Sequence, residues 1–219
     1  TVPAYHGANK LKGHLRFFGT QQTTSDFDAA KSGAKLLSFK ASNYAIPTAA
    51  TTYYDFCFPK ANMPSTLMNI IAIEPVIDKT AHVHHFVLSV SSTEDCDSGT
   101  TTPVWAWAPG AYDWAAPAGT AIKASGSSNT KSFHLQIHYD NPAQKASEVD
   151  SSGVILHYKD TGTFESIGML QLGDGPVKLK DDDNWKKIPE GITSYFFEAT
   201  IPGSKTFNVI SDGLHMHKH

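Results

Sequence analysis

Charge is scarce in this chain of 219 residues: Asp, Glu, Lys and Arg make up 18% of it, against roughly 25% in an average soluble domain. That argues against a long disordered charged tail. Basic residues are not in excess either. A net charge of −3 and a pI of about 6.4 leave no electrostatic footprint for nucleic acid or an anionic membrane. No apolar run approaches the roughly 20 residues of a membrane-spanning helix. There is no G-x-S-x-G elbow, P-loop, H-E-x-x-H or dinucleotide glycine fingerprint, and no carboxylate pair stands out as a glycosidase dyad. A hydrolase built on a protein nucleophile therefore has no support. No N-x-Ser/Thr sequon hints at the compartment. The only cysteines are Cys57 and Cys96. Two cannot build a thiolate metal cage; they make either one disulfide or two separate thiols. Thr1 is followed by no charged n-region or apolar h-region, so a targeting segment is expected to have been removed.

What the chain has in quantity is strand. Ala34–Ser42, Thr51–Phe58, Asn69–Ile77, Ala81–Val90, Ser132–Asp140, Gly153–Lys159, Ser166–Gly173, Thr193–Ile201 and Lys205–Ile210 are rich in aromatic or β-branched residues. Each is bounded by turn formers. With few stretches of helical period, this density predicts an all-β protein of antiparallel sandwiches or jelly rolls. Asp26–Leu37 is the one helix-like patch, and Gly33 interrupts it. The polar stretch Asn141–Asp150 opens on Asn-Pro after a strong strand and reads as a domain boundary. Residues 1–34 then read as a linker-like segment, 35–141 as a first sandwich, 142–150 as a linker and 151–219 as a second domain. That last part is too short to close a sandwich of the same size, so it reads as incomplete. The charge run at Lys180–Lys187 reads as a solvated turn.

Histidine is the other abundance, with eleven in the chain. Three groups lie in or beside strands: His82-Val83-His84-His85, His134-x-x-x-His138, and His215-Met216-His217-Lys218-His219. In a strand, i and i+2 share a face about 6–7 Å apart, whereas i and i+4 stand about 13 Å apart. A His-x-His pair can thus converge on one ion, but His134 and His138 cannot; at most one of them is a ligand. Taken singly, each is an ordinary surface or hydrogen-bonded histidine. The grouping is what makes a metal site the competing reading. Neutral imidazole suits copper, zinc, iron or nickel, so spacing does not choose the metal. The terminal HMHKH also reads as an exposed tail.

The order of larger motifs narrows this. TTYYDFC, IIAIEPVI, HVHHFVL, VWAWAPG, LQIHYDNP, VDSSGVILHY and GLHMH succeed one another from about Leu36 to His217. That series resembles the copper type II, ascorbate-dependent monooxygenases. The stretch Tyr5–Phe18 is similar to the linker that precedes the catalytic core in members with an upstream domain. The resemblance implies two successive antiparallel jelly-roll domains, each carrying one copper, so two coppers per chain when the second site is complete. It implies that His84, His85 and His138 hold the first copper. His215 and His217 would hold the second, with a methionine further on. Gln136 would line the space between the coppers. Cys57 matches a family disulfide cysteine and Cys96 falls in the loop after the His pair, which implies a Cys57–Cys96 bridge and an oxidising secretory route. His82 and His134 match no family ligand and are expected either to support the ligands from behind or to lie at the surface.

The resemblance also implies a function. Hydroxylating an unactivated C–H bond with O₂ takes two electrons, which ascorbate would supply; soft thioether sulfur at the second site would favour Cu(I). The expected partners are a small organic substrate and O₂. The expected location is secreted or in the secretory lumen, with neither nucleic acid nor a membrane span involved. Two departures bear on it. None of Met63, Met68, Met169 and Met216 matches the family's methionine ligand, so either the chain continues beyond His219, which the short second domain favours, or the second site is altered. Gly213 stands where peptide-amidating members carry an arginine for the substrate carboxylate, which removes that anchor. The alternative is a non-catalytic, secreted copper-binding relative.

Overall fold

The computed structural model describes residues 23–94, 101–111 and 113–168, which belong to one compact unit, Thr20–Met169. In chain order its elements are α1 (Thr24–Lys31), β1 (Lys35–Lys40), β2 (Tyr44–Ala45), β3 (Thr51–Phe58), β4 (Met68–Val76), β5 (Val83–Ser91), β6 (Thr102–Trp107), β7 (Trp114–Ala115), β8 (Thr120–Ala124), β9 (Ser132–Asp140), β10 (Val149–Asp150), β11 (Gly153–Lys159) and β12 (Glu165–Ser166). β3, β9 and β11 occupy the residues their alternation predicts, and β1, β4 and β5 differ only at their ends. β6 and β8 and the two-residue strands are too short, or too interrupted by proline, to show a period. The strands expected at Thr193–Ile201 and Lys205–Ile210, and most of that at Ser166–Gly173, lie outside the described residues.

The strands form an all-β sandwich. One sheet runs β1-β11-β4-β8-β12, with β7 also on β4; the other runs β3-β9-β5-β6, and β2 and β10 make a small ribbon. Among the described residues every pairing is antiparallel except β8 with β12. Inward-facing side chains of both sheets share one core: Phe39, Ile70, Ile73, Val154 and Leu156 meet Phe86, Leu88, Phe133, Leu135 and Ile137. The Phe39 ring lies 4.5 Å from that of Phe58 and 5.0 Å from that of Phe133, so the two sheets touch directly. Gly153 lets β11 approach β1. A Cβ there would meet the Phe39 carbonyl oxygen at 2.1 Å and Lys40 Cα at 2.6 Å.

Three of the expected segments differ from the observed pairing. β11 is not the start of a second domain, because it pairs with β1 on one side and β4 on the other. β10, inside the expected linker, pairs with β2. The Asn-Pro stretch is a turn within the sandwich: buried Asn141 donates to the carbonyls of Pro47 (3.0 Å) and Lys145 (2.9 Å) and accepts from Lys145 N at 3.0 Å. Its polarity is spent on closing that turn. Nor are residues 24–31 a linker; they form α1. A Thr23–Asp26 capping box starts the helix, and Phe27 docks it on Ala72 and Ala115, edge-on to the buried His157 at 5.7 Å. Gly33, at φ 68°, turns the chain into β1.

Tyr139 ties β9 to the end of β10. Its ring is fully buried and its hydroxyl donates to Asp150 Oδ2 at 2.9 Å. Asp150 also accepts from Ser152 N at 3.1 Å and Ser152 Oγ at 2.6 Å. Burial, then the nearby Asp150 charge, pushes the Tyr139 hydroxyl far above the ordinary tyrosine range. Tyr139→Phe should cost about 1–2 kcal/mol, lowering Tm in a calorimetric scan by roughly 2–8 °C. An unfolded tyrosine ionises near pH 10 while Tyr139 keeps its proton, so its contribution is complete below about pH 10 and declines above it. The variant should lack that alkaline decline.

Candidate metal centre

A single irregularity in β5 builds the site. Val83 pairs with Tyr139, but His85 pairs with His138 and Phe86 with Ile137. The pairing therefore shifts by one residue, and His84 and His85 together stand opposite His138. This is a β-bulge. In a regular strand, neighbouring residues point to opposite faces, and one imidazole of a His-His pair would enter the core. Here Val83 and Phe86 both point inward and both histidines between them project from the outer face. β9 needs no such device: Phe133, Leu135, Ile137 and Tyr139 face the core, while His134, Gln136, His138 and Asp140 alternate on the outside.

The three imidazoles converge. His85 Nδ1 lies 3.1 Å from His84 Nδ1 and 3.2 Å from His138 Nδ1. One ligand atom from each falls within 4.8 Å of the others. Nitrogens bound to one ion at about 2.0–2.1 Å lie no more than about 4 Å apart, so small side-chain rotations close the set. Three nitrogens turned toward one point, with no carboxylate among them, are a donor set for an ion such as copper or zinc. His85 and His138 are buried and His84 is half-buried, so the site is anchored in the sheet with one side open.

Its surroundings come from neighbouring strands. β3 pairs with β9 so that Tyr53 faces His138, Asp55 faces Gln136 and Cys57 faces His134. The Tyr53 ring stacks on His138, with centroids 4.3 Å apart and planes at 21°. Partial burial, then the charge of Asp140, holds its phenol above the usual range. Gln136 Nε2 donates to the Asp55 carboxylate at 3.1 and 3.3 Å. His138 Nε2 lies 3.1 Å from Asp140 Oδ1, close enough for an ion pair yet off the axis of a well-directed hydrogen bond.

His84, His85 and His138 are thus brought together, and Gln136 lies one step along the same face. His134 stands apart, beside Cys57 (Nε2 to Sγ 3.8 Å) and Ser132. His82 is buried and bonded to the Asp140 carbonyl at 2.8 Å. His215, His217, Gly213 and Cys96 lie outside the described residues. Sequence reasoning does not find Tyr53, Asp55 or Asp140. Asp140 carries a signal, being two residues beyond His138 on the same face; Tyr53 and Asp55 reach the site only through the β3–β9 register.

The fold and this cluster define a β-sandwich with a tri-histidine site of metal-binding geometry, and comparison with known proteins agrees. A family model described as copper type II ascorbate-dependent monooxygenase, N-terminal domain, matches residues 37–146. The chain belongs to that family. It is 27% identical over 158 residues to dopamine beta-hydroxylase of Canis lupus familiaris, covering 64% of this chain and 25% of that protein. It is 24% identical over 191 residues to DBH-like monooxygenase protein 1 of Homo sapiens, covering 78% and 30%. It is 42% identical over 120 residues to MOXD1 homolog 1 of Drosophila melanogaster, covering 54% and 17%. The chain thus spans less than a third of these curated relatives. Among the described residues, no helix is long and apolar enough to cross a membrane.

The two histidines of β9 separate cleanly in a binding test. After loading with Cu(II) and desalting, His138→Ala should lose one copper per chain by elemental analysis. His134→Ala should retain the wild-type content.

Proposed function

We propose that this chain belongs to an ascorbate-dependent copper monooxygenase that hydroxylates a C–H bond of a small organic substrate with O₂. The observation that carries the reading is the convergence of His84, His85 and His138 inside the segment the family model matches. In this reading these three histidines hold the first copper, and His215 and His217 hold a second. The first site belongs to one jelly-roll domain and the second to another that begins after β12. Copper at such ligands supplies one-electron redox chemistry, and the balance is RH + O₂ + 2e⁻ + 2H⁺ → ROH + H₂O, with ascorbate as the electron donor.

The chain's own residues hold and shield the first centre. Asp140 faces the Nε2 of His138, leaving Nδ1 for the metal. Tyr53 covers one face of the His138 ring and stays a neutral phenol. Gln136, its amide held by Asp55, stands beside the first centre on the same face of β9 as His138. Cys57 is not a free thiol and Cys96 is the chain's other cysteine; a Cys57–Cys96 bridge would tie edge strand β3 to the segment after β5. That bridge would suit a secreted or lumenal protein.

Copper content and turnover test this together. Two coppers per chain should be retained after loading and desalting. Ascorbate-dependent oxygen uptake should appear with a member of a panel of small organic substrates, and His85→Ala should abolish it. One retained copper that ascorbate reduces without oxygen uptake would support the non-catalytic relative. No retained copper would contradict both.

A further inference from the structure

We propose that His82, which matches no family ligand, and Asp140 form the positioning pair of the first metal site. His82 clasps the backbone of Asp140, and Asp140 holds the ring of His138. The proposal rests on the reading of His84, His85 and His138 as copper ligands.

His82 lies just before the bulge, on a turn closed by its own N–H donating to the Lys79 carbonyl at 2.9 Å. Its ring is buried. Ring Nδ1 lies 2.8 Å from the Asp140 carbonyl oxygen. A carbonyl only accepts, so Nδ1 carries the proton and donates. In return, Asp140 N donates to the His82 carbonyl at 2.7 Å. Residue 140 is thus held on both its backbone groups by residue 82. On its other side, His82 Nε2 faces Glu148 Oε2 at 3.9 Å, beyond hydrogen-bond reach, and that carboxylate is paired with Lys79 Nζ at 3.3 Å.

The clasp matters because Asp140 is itself half-exposed. A carboxylate open to water gains little from one fixed partner and has no intrinsic reason to keep one orientation. With its backbone pinned, and with i and i+2 of β9 on one face, its Oδ1 is delivered 3.1 Å from His138 Nε2, within ion-pair reach and a small ring rotation short of a directed hydrogen bond. A carboxylate on the outer nitrogen fixes the tautomer and orientation of a ligating histidine and raises its basicity. The pair also links the two strands that supply ligands: His82 starts the segment carrying His84 and His85, and Asp140 ends the one carrying His138.

The test measures Cu(II) affinity by chelator competition, with the EPR spectrum of the same samples. It uses the full chain in a His217→Ala background, so that the first site alone reports. Asp140→Ala should weaken binding by about 10–100-fold, the usual cost of losing such a partner. His82→Ala should weaken it about 10-fold and should add nothing further once Asp140 is alanine. His82→Asn, whose amide nitrogen substitutes for Nδ1, should restore affinity and spectrum; His82→Gln, which reaches as Nε2 does, should not. Thermal melts of the metal-free variants separate loss of fold from loss of positioning. If His82→Ala fails to fold, the Asn and Gln pair carries the comparison. Unchanged affinity in Asp140→Ala, or losses that simply add in the double variant, would overturn the proposal while leaving the copper reading intact. No copper retained by the parent chain would overturn the copper reading and this pair with it.

Discussion

Everything at the candidate centre depends on β5 carrying one residue more than its partner strand accommodates. With regular pairing through residues 83–86, either His84 or His85 would sit in the core beside Phe86 and Leu88, where a polar ring without a partner is costly. The other would stand alone on the surface. The bulge resolves this by opposing two residues to His138, keeping Val83 and Phe86 inside and both imidazoles outside. Its position is strongly specified. A slip of one residue along β9 would turn every inward phenylalanine and leucine of the strand to solvent.

β9 is the strand on which both requirements meet. Its inner face supplies Phe133, Leu135, Ile137 and Tyr139, all fully buried, and the Tyr139–Asp150 bond fastens its far end. Its outer face supplies His138, Gln136 and Asp140. It pairs with β3 on one side and β5 on the other, so the ligand strand cannot shift without breaking two ladders. The site is therefore preorganised by the same packing that stabilises the sandwich. The soft part is the side-chain layer above the sheet, where Tyr53 and Asp140 are partly exposed.

Long strands with clean alternation are legible in the sequence, and so is the trio His84, His85 and His138 through the resemblance carried by HVHHFVL and LQIHYDNP. The rule that His134 and His138 cannot share an ion comes from strand geometry alone, and the structure separates them as it requires. The domain boundary is misleading in sequence for a physical reason. A polar Asn-Pro turn looks the same whether it joins two strands of one sandwich or two domains, and only the pairing of β11 between β1 and β4 decides. α1 is faint because its amphipathic signal reduces to one buried residue, Phe27. The bulge itself has no local signature in residues 83–86; it emerges from the demand of two strands that their apolar residues face inward at once.

The central claim is that the bulge makes three histidines one ligand set, and X-ray absorption at the copper edge tests it most directly. The protein should carry one equivalent of copper in a His215→Ala/His217→Ala background. Multiple scattering from three imidazoles at about 2.0 Å is the expected result, falling to two in His84→Ala. A spectrum that fits two or fewer imidazoles in the parent, or one unchanged by His84→Ala, would contradict the account.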